Sequence, residues 1–273
     1  MSSTPSTFVS ANGDSYELLM GRWSRRLAEP YVNFVGLSDG DRILDAGCGT
    51  GALSAHLLRR TTASEIVGMD FSKVYVDHAT STIEDPRITF ATGDVANLAY
   101  DDGVFDQVFS NLVLTFVPDS TAAITELKRV VKPGGSISAT VWDSRGGLIF
   151  NRLFLDTAAV LDPKAHALRQ HMLTRPLTRP GQLQAAWATA CLENIRAGEL
   201  TIRTDFESFD DYWGPLDGKD GPIPNYLRQT EPVMQAKIKE AVRLCFLDGE
   251  DDGPRSYTAT SWVVSGTKPG QIF

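Results

Sequence analysis

A short apolar strand running straight into a glycine-rich turn fixes most of what this chain can become. Residues 42–46, Arg-Ile-Leu-Asp-Ala, lead into Gly47-Cys48-Gly49-Thr50-Gly51, and a helical stretch at 52–60 follows. Such a turn needs glycines because the backbone reverses tightly and a ligand lies directly against it, where a Cβ would intrude. The spacing also fits Gly-x-Gly-x-x-Ala through Gly47, Gly49 and Ala52, so by itself it admits a dinucleotide loop. Asp45 weighs the other way: an acid at the mouth of the turn repels a pyrophosphate and suits a cationic ligand.

Beyond this turn, strands and helices alternate. Further strands are expected at 65–69, 87–92, 104–110 and 136–142, with helices from the Ser72 cap to about 82 and at 120–131. This rhythm predicts an α/β fold with a doubly wound, largely parallel sheet, whose ligands bind beyond the carboxyl ends of the strands where strand order reverses. Ahead of it, Tyr16, Met20, Trp23 and Leu27 recur at helical spacing within 15–34, and Pro30 is expected to split that segment into two short helices. After Trp142 the pattern changes to helices at 148–161, 165–173 and 181–190, a strand at 195–206, a helical and loop-rich stretch, and a last strand at 256–267. The expected organisation is an N-terminal helical lid (1–36), a ligand-binding core (37–145) and a helical segment (146–194). The last two strands follow (195–273), with an inserted helical and aromatic cap at about 207–252.

A net charge of −8 argues against a general nucleic-acid or anionic-membrane binder. Arg22, Arg25 and Arg26 cluster, and a solvated helix face accounts for them. Cys48, Cys191 and Cys245 are far apart and lack metal-ligand spacing, so neither a disulfide framework nor a metal site is expected. Residues 1–10 are Ser/Thr-rich, without the basic and apolar regions of a signal peptide. No apolar run approaches the ~20 residues of a membrane span. A cytoplasmic protein is expected.

Several residues at strand ends carry chemistry. Asp70 stands nineteen residues beyond Gly51, where an acid holds both ribose hydroxyls of an adenosine, although it would also favour the dipole of the following helix. Phe71 reads equally as a ring against adenine or as core. In Gly93-Asp94-Val95 the carboxylate can accept from an adenine amine and the Val95 amide can donate to a ring nitrogen, with a helix-cap Asp as the alternative. Asn111 and Leu112, closing the fourth strand, are placed at the opposite end of the ligand.

Asp45 to Gly51, Asp70, Gly93-Asp94-Val95, Phe105-Asp106 and the run from Glu126 to Gly135 together resemble class I S-adenosylmethionine-dependent methyltransferases. Among these the sequence is most similar to the ubiquinone/menaquinone-biosynthesis-like (methyltransferase type 11) group of small-molecule enzymes, over about residues 40–141. The resemblance implies a sheet order 3-2-1-4-5-7-6 with the last strand antiparallel, and S-adenosyl-L-methionine as cofactor. It implies that Asp45, Gly47, Cys48, Gly49 and Gly51 hold the methionine part, Asp70 the ribose and Asp94 the adenine. The group often carries a histidine where this chain has Leu114-Thr115-Phe116, so no histidine base is implied at Thr115.

Methyl transfer from a sulfonium needs alignment and desolvation more than a proton-transferring group, so the sequence marks a cofactor better than a catalyst. Candidates for a base are Tyr16, Asp143 and His171; His56, His78 and His166 are read as structural, solvated or variable-region residues. Tyr16, Met20, Trp23, Trp142, Tyr212 and Trp213 are expected to line a pocket for a small-molecule acceptor. Oligomeric state is open, a homodimer included. The competing readings are a nicotinamide-dependent oxidoreductase and a fold of this type repurposed for ligand binding or other chemistry.

Overall fold

A computed structural model describes residues 13–270; the stretch at 1–10 that the sequence marks as a tail lies outside the described residues. In chain order the elements are α1 (Gly13–Tyr16), a π-helical turn (Glu17–Gly21), α2 (Arg22–Val35), β1 (Arg42–Ala46), α3 (Ala52–Arg60), β2 (Glu65–Asp70), α4 (Lys73–Thr82), β3 (Ile88–Thr92), β4 (Phe105–Asn111), a 3-10 turn (Leu114–Phe116), α5 (Ser120–Val130) and β5 (Val131–Trp142). There follow α6 (Ile149–Leu161), α7 (Pro163–Leu173), α8 (Gln182–Thr189), β6 (Glu193–Phe206), α9 (Phe209–Trp213), a second 3-10 turn (Gly214–Asp217), α10 (Pro222–Arg228), α11 (Pro232–Leu247) and β7 (Arg255–Thr267). The strands form one sheet in the order β3-β2-β1-β4-β5-β7-β6. β1 to β5 pair in parallel, and β7 runs antiparallel to both its neighbours. This is the order, with its reversed last strand, that the resemblance implies.

The central strands are apolar on both faces because helices cover both. Ile43 of β1 packs with Ala28, Val32, Leu53 and Leu57 from α2 and α3. Leu44, one residue on, packs on the other face with Leu127, Val130 and Trp187 from α5 and α8. A third cluster, built from α2, α6, α7, α9, α10 and α11, lies over the carboxyl end of the sheet and contains Trp23, Trp142, Phe150, Phe154, Phe206, Tyr212 and Trp213. It forms the cap of the molecule.

Two local expectations are corrected. Pro30 does not split its helix: α2 runs unbroken from Arg22 to Val35. A proline removes one backbone bond and strains the preceding turn. Here Trp23, Leu27 and Ala28 before it and Tyr31 and Val32 after it are all buried, so tertiary packing holds the helix straight through. β5 begins at Val131, not after the glycine pair, and its pairing with β4 is shifted between Phe105 and Gln107. A Cβ on Gly135 would stand 2.6 Å from the Asp106 carbonyl oxygen, so the strand can pass only with glycine there.

Tyr31 ties α2 to the sheet. Its hydroxyl donates to Ser138 Oγ at 2.9 Å and accepts from the Ser110 amide at 3.3 Å, and the ring is fully buried against Phe109. Tyr31→Phe keeps the ring and removes both bonds, leaving Ser138 Oγ only its 3.4 Å bond to the Val108 carbonyl, so it should cost about 1–2 kcal/mol of stability. Urea unfolding measures this directly, and an unchanged midpoint would mean the two serines lose nothing with the hydroxyl.

Candidate functional site

The site is built where β1, β2 and β4 end. The backbone leaves β1 at Asp45 and Ala46 and turns back, with the amides of Gly47 and Cys48 donating to the Met69 carbonyl at 2.6 and 2.9 Å. Gly47, Gly49 and Gly51 all take left-handed conformations, with φ of +85°, +54° and +89°. They do so for different reasons. A Cβ on Gly47 would fall 2.2 Å from Val113 Cγ2, and one on Gly51 2.5 Å from Ile83 Cδ1, so these two glycines let the turn pack against its own protein. Only Gly49 faces the ligand side, where the Tyr16 ring stands 3.7 Å from where its Cβ would be.

Asp45 is fully buried. Its Oδ2 accepts from Ser54 Oγ at 2.6 Å, whereas Oδ1 is buried with no partner. Desolvation, opposed by the Ser54 bond and assisted by the charge of Asp70, pushes its carboxyl up to about 7. Asp70, the last residue of β2, accepts from the Gly49 amide at 2.9 Å through Oδ2 and from the Ser72 amide at 2.8 Å through Oδ1. Burial raises its carboxyl too. Each oxygen keeps a lone pair for a further donor. Neither acid pairs with a lysine or arginine among the described residues.

The other expected contacts fall around this pair. Phe71 is 50% exposed, which removes the core reading of that ring. The Gly93 amide donates to the Asp70 carbonyl at 2.9 Å, and Asp94 Oδ1 accepts from the Ala96 amide, capping the short turn that carries Val95. Asn111 Oδ1 accepts from Thr140 Oγ1 at 2.6 Å, and the Leu112 amide donates to the Thr140 carbonyl at 3.0 Å. Leu112 holds φ of +66°, a strained conformation for a branched residue and one of the kind that collects at functional sites. Cys48 is buried, and desolvation with the nearby charges of Asp45 and Asp70 raises its thiol well above the usual range, so it is no nucleophile.

A lid crosses the front. Glu17 accepts from Thr50 Oγ1 and from Arg25, and Gly21 makes room for that carboxylate. Tyr16 stacks on Tyr75 at 4.7 Å between centroids, and the Tyr75 hydroxyl donates to Asp220 Oδ1 at 3.2 Å. Asp220 comes from the loop after the second 3-10 turn, so the lid and the cap meet over α4. The sequence reading singled out neither Glu17 nor Asp220; both are ordinary surface-type acids until the fold brings them here.

The base candidates are dispersed. Burial raises the Tyr16 phenol, with Asp70 and Glu17 adding to the shift. Asp143 Oδ1 is occupied by the Arg145 and Gly146 amides in the turn after β5. His171 is exposed in the last turn of α7. Of the expected pocket residues, Met20, Trp23 and Trp142 gather at the cap's inner edge, and Trp142 Nε1 is buried without an acceptor. Tyr212 and Trp213 are committed elsewhere: the tyrosine donates to the Phe150 carbonyl at 2.9 Å and the tryptophan to Asp217 Oδ2 at 2.9 Å, inside the cap. Both rings are buried in the same cluster as Trp23 and Trp142. Among the described residues no group of acids, histidines and cysteines could hold a metal, and no helix is long and apolar enough to cross a membrane.

Comparison with known proteins places this geometry. Residues 44–139 match the model of the methyltransferase domain. The chain is 34% identical over 121 residues to the ubiquinone/menaquinone biosynthesis C-methyltransferase of a Geobacter species, covering 42% of this chain and 50% of that one. Curated relatives are matched over about a third to a half of their own length. Among solved structures it superposes on a Haemonchus contortus phosphoethanolamine N-methyltransferase held with S-adenosylhomocysteine, with a TM-score of 0.58 and 15% identity over 94% of this chain and 57% of that one. It superposes similarly on the 4+2 cyclase SpnF, with a TM-score of 0.56 and 19% identity over 98% of this chain and 88% of that one. At such identities the likeness is one of fold.

Proposed function

We propose that this chain, whose residues 44–139 match the methyltransferase domain, is a class I methyltransferase that binds S-adenosyl-L-methionine at the glycine turn and transfers its methyl group to a small-molecule acceptor. The observation that carries the reading is the buried Oδ1 of Asp45, which has neither a hydrogen-bond partner nor a counter-cation among the described residues and stands near a second, half-buried acid, Asp70. Such a position demands a positively charged donor, which an amino-acid ammonium supplies and a pyrophosphate cannot. A nicotinamide cofactor is disfavoured for the same reason.

S-adenosylmethionine brings an already activated methyl on a sulfonium, and the chain's residues have only to bind, orient and keep water out. Asp45 Oδ1 receives the ammonium. Asp70 accepts the ribose hydroxyls on the lone pairs its two amide bonds leave open, Phe71 lies along the adenine and Asp94 with Val95 reads its edge. Asn111 and Leu112, fixed by Thr140, shape the methionine end. Trp23, Met20 and Trp142 form the apolar wall on the acceptor's side. The Tyr16 phenol is raised, Asp143 Oδ1 is occupied and His171 is exposed, so none of these three candidates offers a ready base. An acceptor whose O, N or C atom attacks without early loss of a proton fits this arrangement best.

Ionisation of Asp45 gives a test with a definite sign. Its carboxyl moves from an ordinary 3.8 to about 7 on folding, so between those values the folded chain holds a proton the unfolded chain has released. Stability of the ligand-free protein should therefore fall as pH rises from about 4 to about 7 on account of this group. A bound ammonium cancels that loss. The rise in melting temperature produced by S-adenosylhomocysteine should be larger at pH 8 than at pH 6, and Asp45→Asn should remove the difference. Equal shifts at both pH values in the unaltered protein would mean that the ionised acid does not face the ammonium.

Calorimetry with S-adenosylhomocysteine and with NADH separates the cofactor readings, and binding of the nucleotide alone would overturn this one. The alternative, a site that binds the cofactor but runs other chemistry, is tested by labelled-methyl transfer to phenols, amines and carbon acids. Tight cofactor binding with no label moved across the panel would favour it.

A further inference from the structure

We propose that Arg175 is the anchor for a carboxylate or phosphate on the acceptor, so that the substrate is an anionic small molecule. The proposal rests on the methyl-transfer reading for the meaning of "acceptor", and on its own geometry for the anion.

The chain around Arg175 crosses the carboxyl edge of the sheet. Met172, near the end of α7, belongs to the cap cluster, and Leu177 belongs to the core under α5 and α8. Residues 174–176 bridge the two. On one side lies the 3-10 turn that follows β4, where the Arg175 guanidinium sits 4.5 Å from the centre of the Phe116 ring. On the other lies the loop after β5, where Arg145 Nε donates to the Leu173 carbonyl at 3.3 Å. Val113, which opens that 3-10 turn, packs directly on Gly47. Arg175 is thus seated at the ends of β4 and β5, over a ring that lies three residues along the chain from the Val113 contact with the glycine turn.

Apart from this ring its side chain has no charged partner among the described residues. Nε is buried with no acceptor, and the guanidinium makes no hydrogen bond or ion pair among the described residues. Other half-buried arginines are matched: Arg22 with Asp211, Arg87 with Asp85, Arg129 with Glu126 and Asp102, and Arg152 and Arg169 with Asp156. Acids are in surplus, 34 against 26 basic residues, yet none is supplied here. Desolvation lowers the guanidinium to about 10, which still leaves it charged at neutral pH. A desolvated cation with no anion is costly to keep, and a ligand anion relieves the cost. Phe116 covers one face of the guanidinium and leaves its edge, the planar fork of N–H donors that grips carboxylate or phosphate bidentately. On the neighbouring strands, Ser110 Oγ of β4, Trp142 Nε1 of β5 and Ser261 Oγ of β7 are also buried without a hydrogen-bond partner among the described residues.

The test uses the full chain saturated with S-adenosylhomocysteine and titrated calorimetrically with benzoate, phenyl phosphate and the neutral isostere benzamide. An anion should bind at least tenfold more tightly than benzamide. Arg175→Met should erase that preference, leave S-adenosylhomocysteine affinity within twofold, and raise the melting temperature of the ligand-free protein because an uncompensated charge is gone. Arg175→Lys should keep part of the preference. Equal binding of anions and benzamide, or of neither, to the unaltered protein overturns the proposal. So does a tenfold loss of S-adenosylhomocysteine in the methionine variant, which would assign the guanidinium to the cofactor's own carboxylate. A lower melting temperature with unchanged anion binding would make Arg175 a structural plug. Failure of S-adenosylhomocysteine to bind the unaltered protein would instead remove the methyl-transfer reading, and the anion preference is then judged without it.

Discussion

Replacing Asp70 by alanine should weaken S-adenosylhomocysteine binding by about 10- to 100-fold, roughly 1.5–3 kcal/mol, the usual loss when a hydrogen bond to a charged group is removed. The loss has two parts. The ribose hydroxyls lose their acceptor, and the amides of Gly49 and Ser72 lose the carboxylate that holds them at 2.9 and 2.8 Å. The second part loosens the turn even when empty, so the alanine variant should also melt earlier. Asp70→Asn retains one acceptor oxygen and should fall between the two. Isothermal calorimetry decides, and an affinity within twofold of the unaltered protein would show that ribose is held elsewhere.

Trp187→Ala should cost about 3–5 kcal/mol of stability, the range for truncating a large side chain with no room to collapse. Trp187 is fully buried beneath the sheet, and its indole donates to the Ile137 carbonyl at 3.2 Å. The ring lies so close to β7 that a Cβ on Gly266 would be 3.0 Å from its Cδ1. Truncation leaves a cavity between α8 and the sheet. Urea unfolding should show a lower midpoint with the slope preserved. A change below about 1 kcal/mol would mean that α8 settles into the gap.

The sequence carried the strand-turn-helix rhythm and the acids that end strands, because both are local. Asp45 and Asp70 each close an apolar run, and period and position alone put them at the carboxyl edge. Asn111 and Leu112 were legible for the same reason. What depended on distant partners was not. Pro30 reads as a break from its own chemistry, and only the burial of Trp23, Leu27, Tyr31 and Val32 around it keeps α2 whole. Tyr212 and Trp213 have the composition of a pocket wall, but Phe150 and Asp217 take their polar ends into the cap. Arg175 gave no signal at all. Its importance lies in the ring of Phe116, far back in the chain, and in a guanidinium that no acid pairs with among the described residues.

The place of β7 also dictates an order of assembly. The strand that lies between β5 and β6 is the last of the seven to emerge during synthesis. Until residues 255–267 arrive, β5 presents an open edge of backbone donors and acceptors flanked by Ile137, Ala139 and Val141, and β6 has no neighbour. An unpaired apolar edge is what templates association with another chain. The nascent chain is therefore most exposed to misassembly in the interval before β7 emerges, and that strand is the seam that turns two open edges into one continuous sheet.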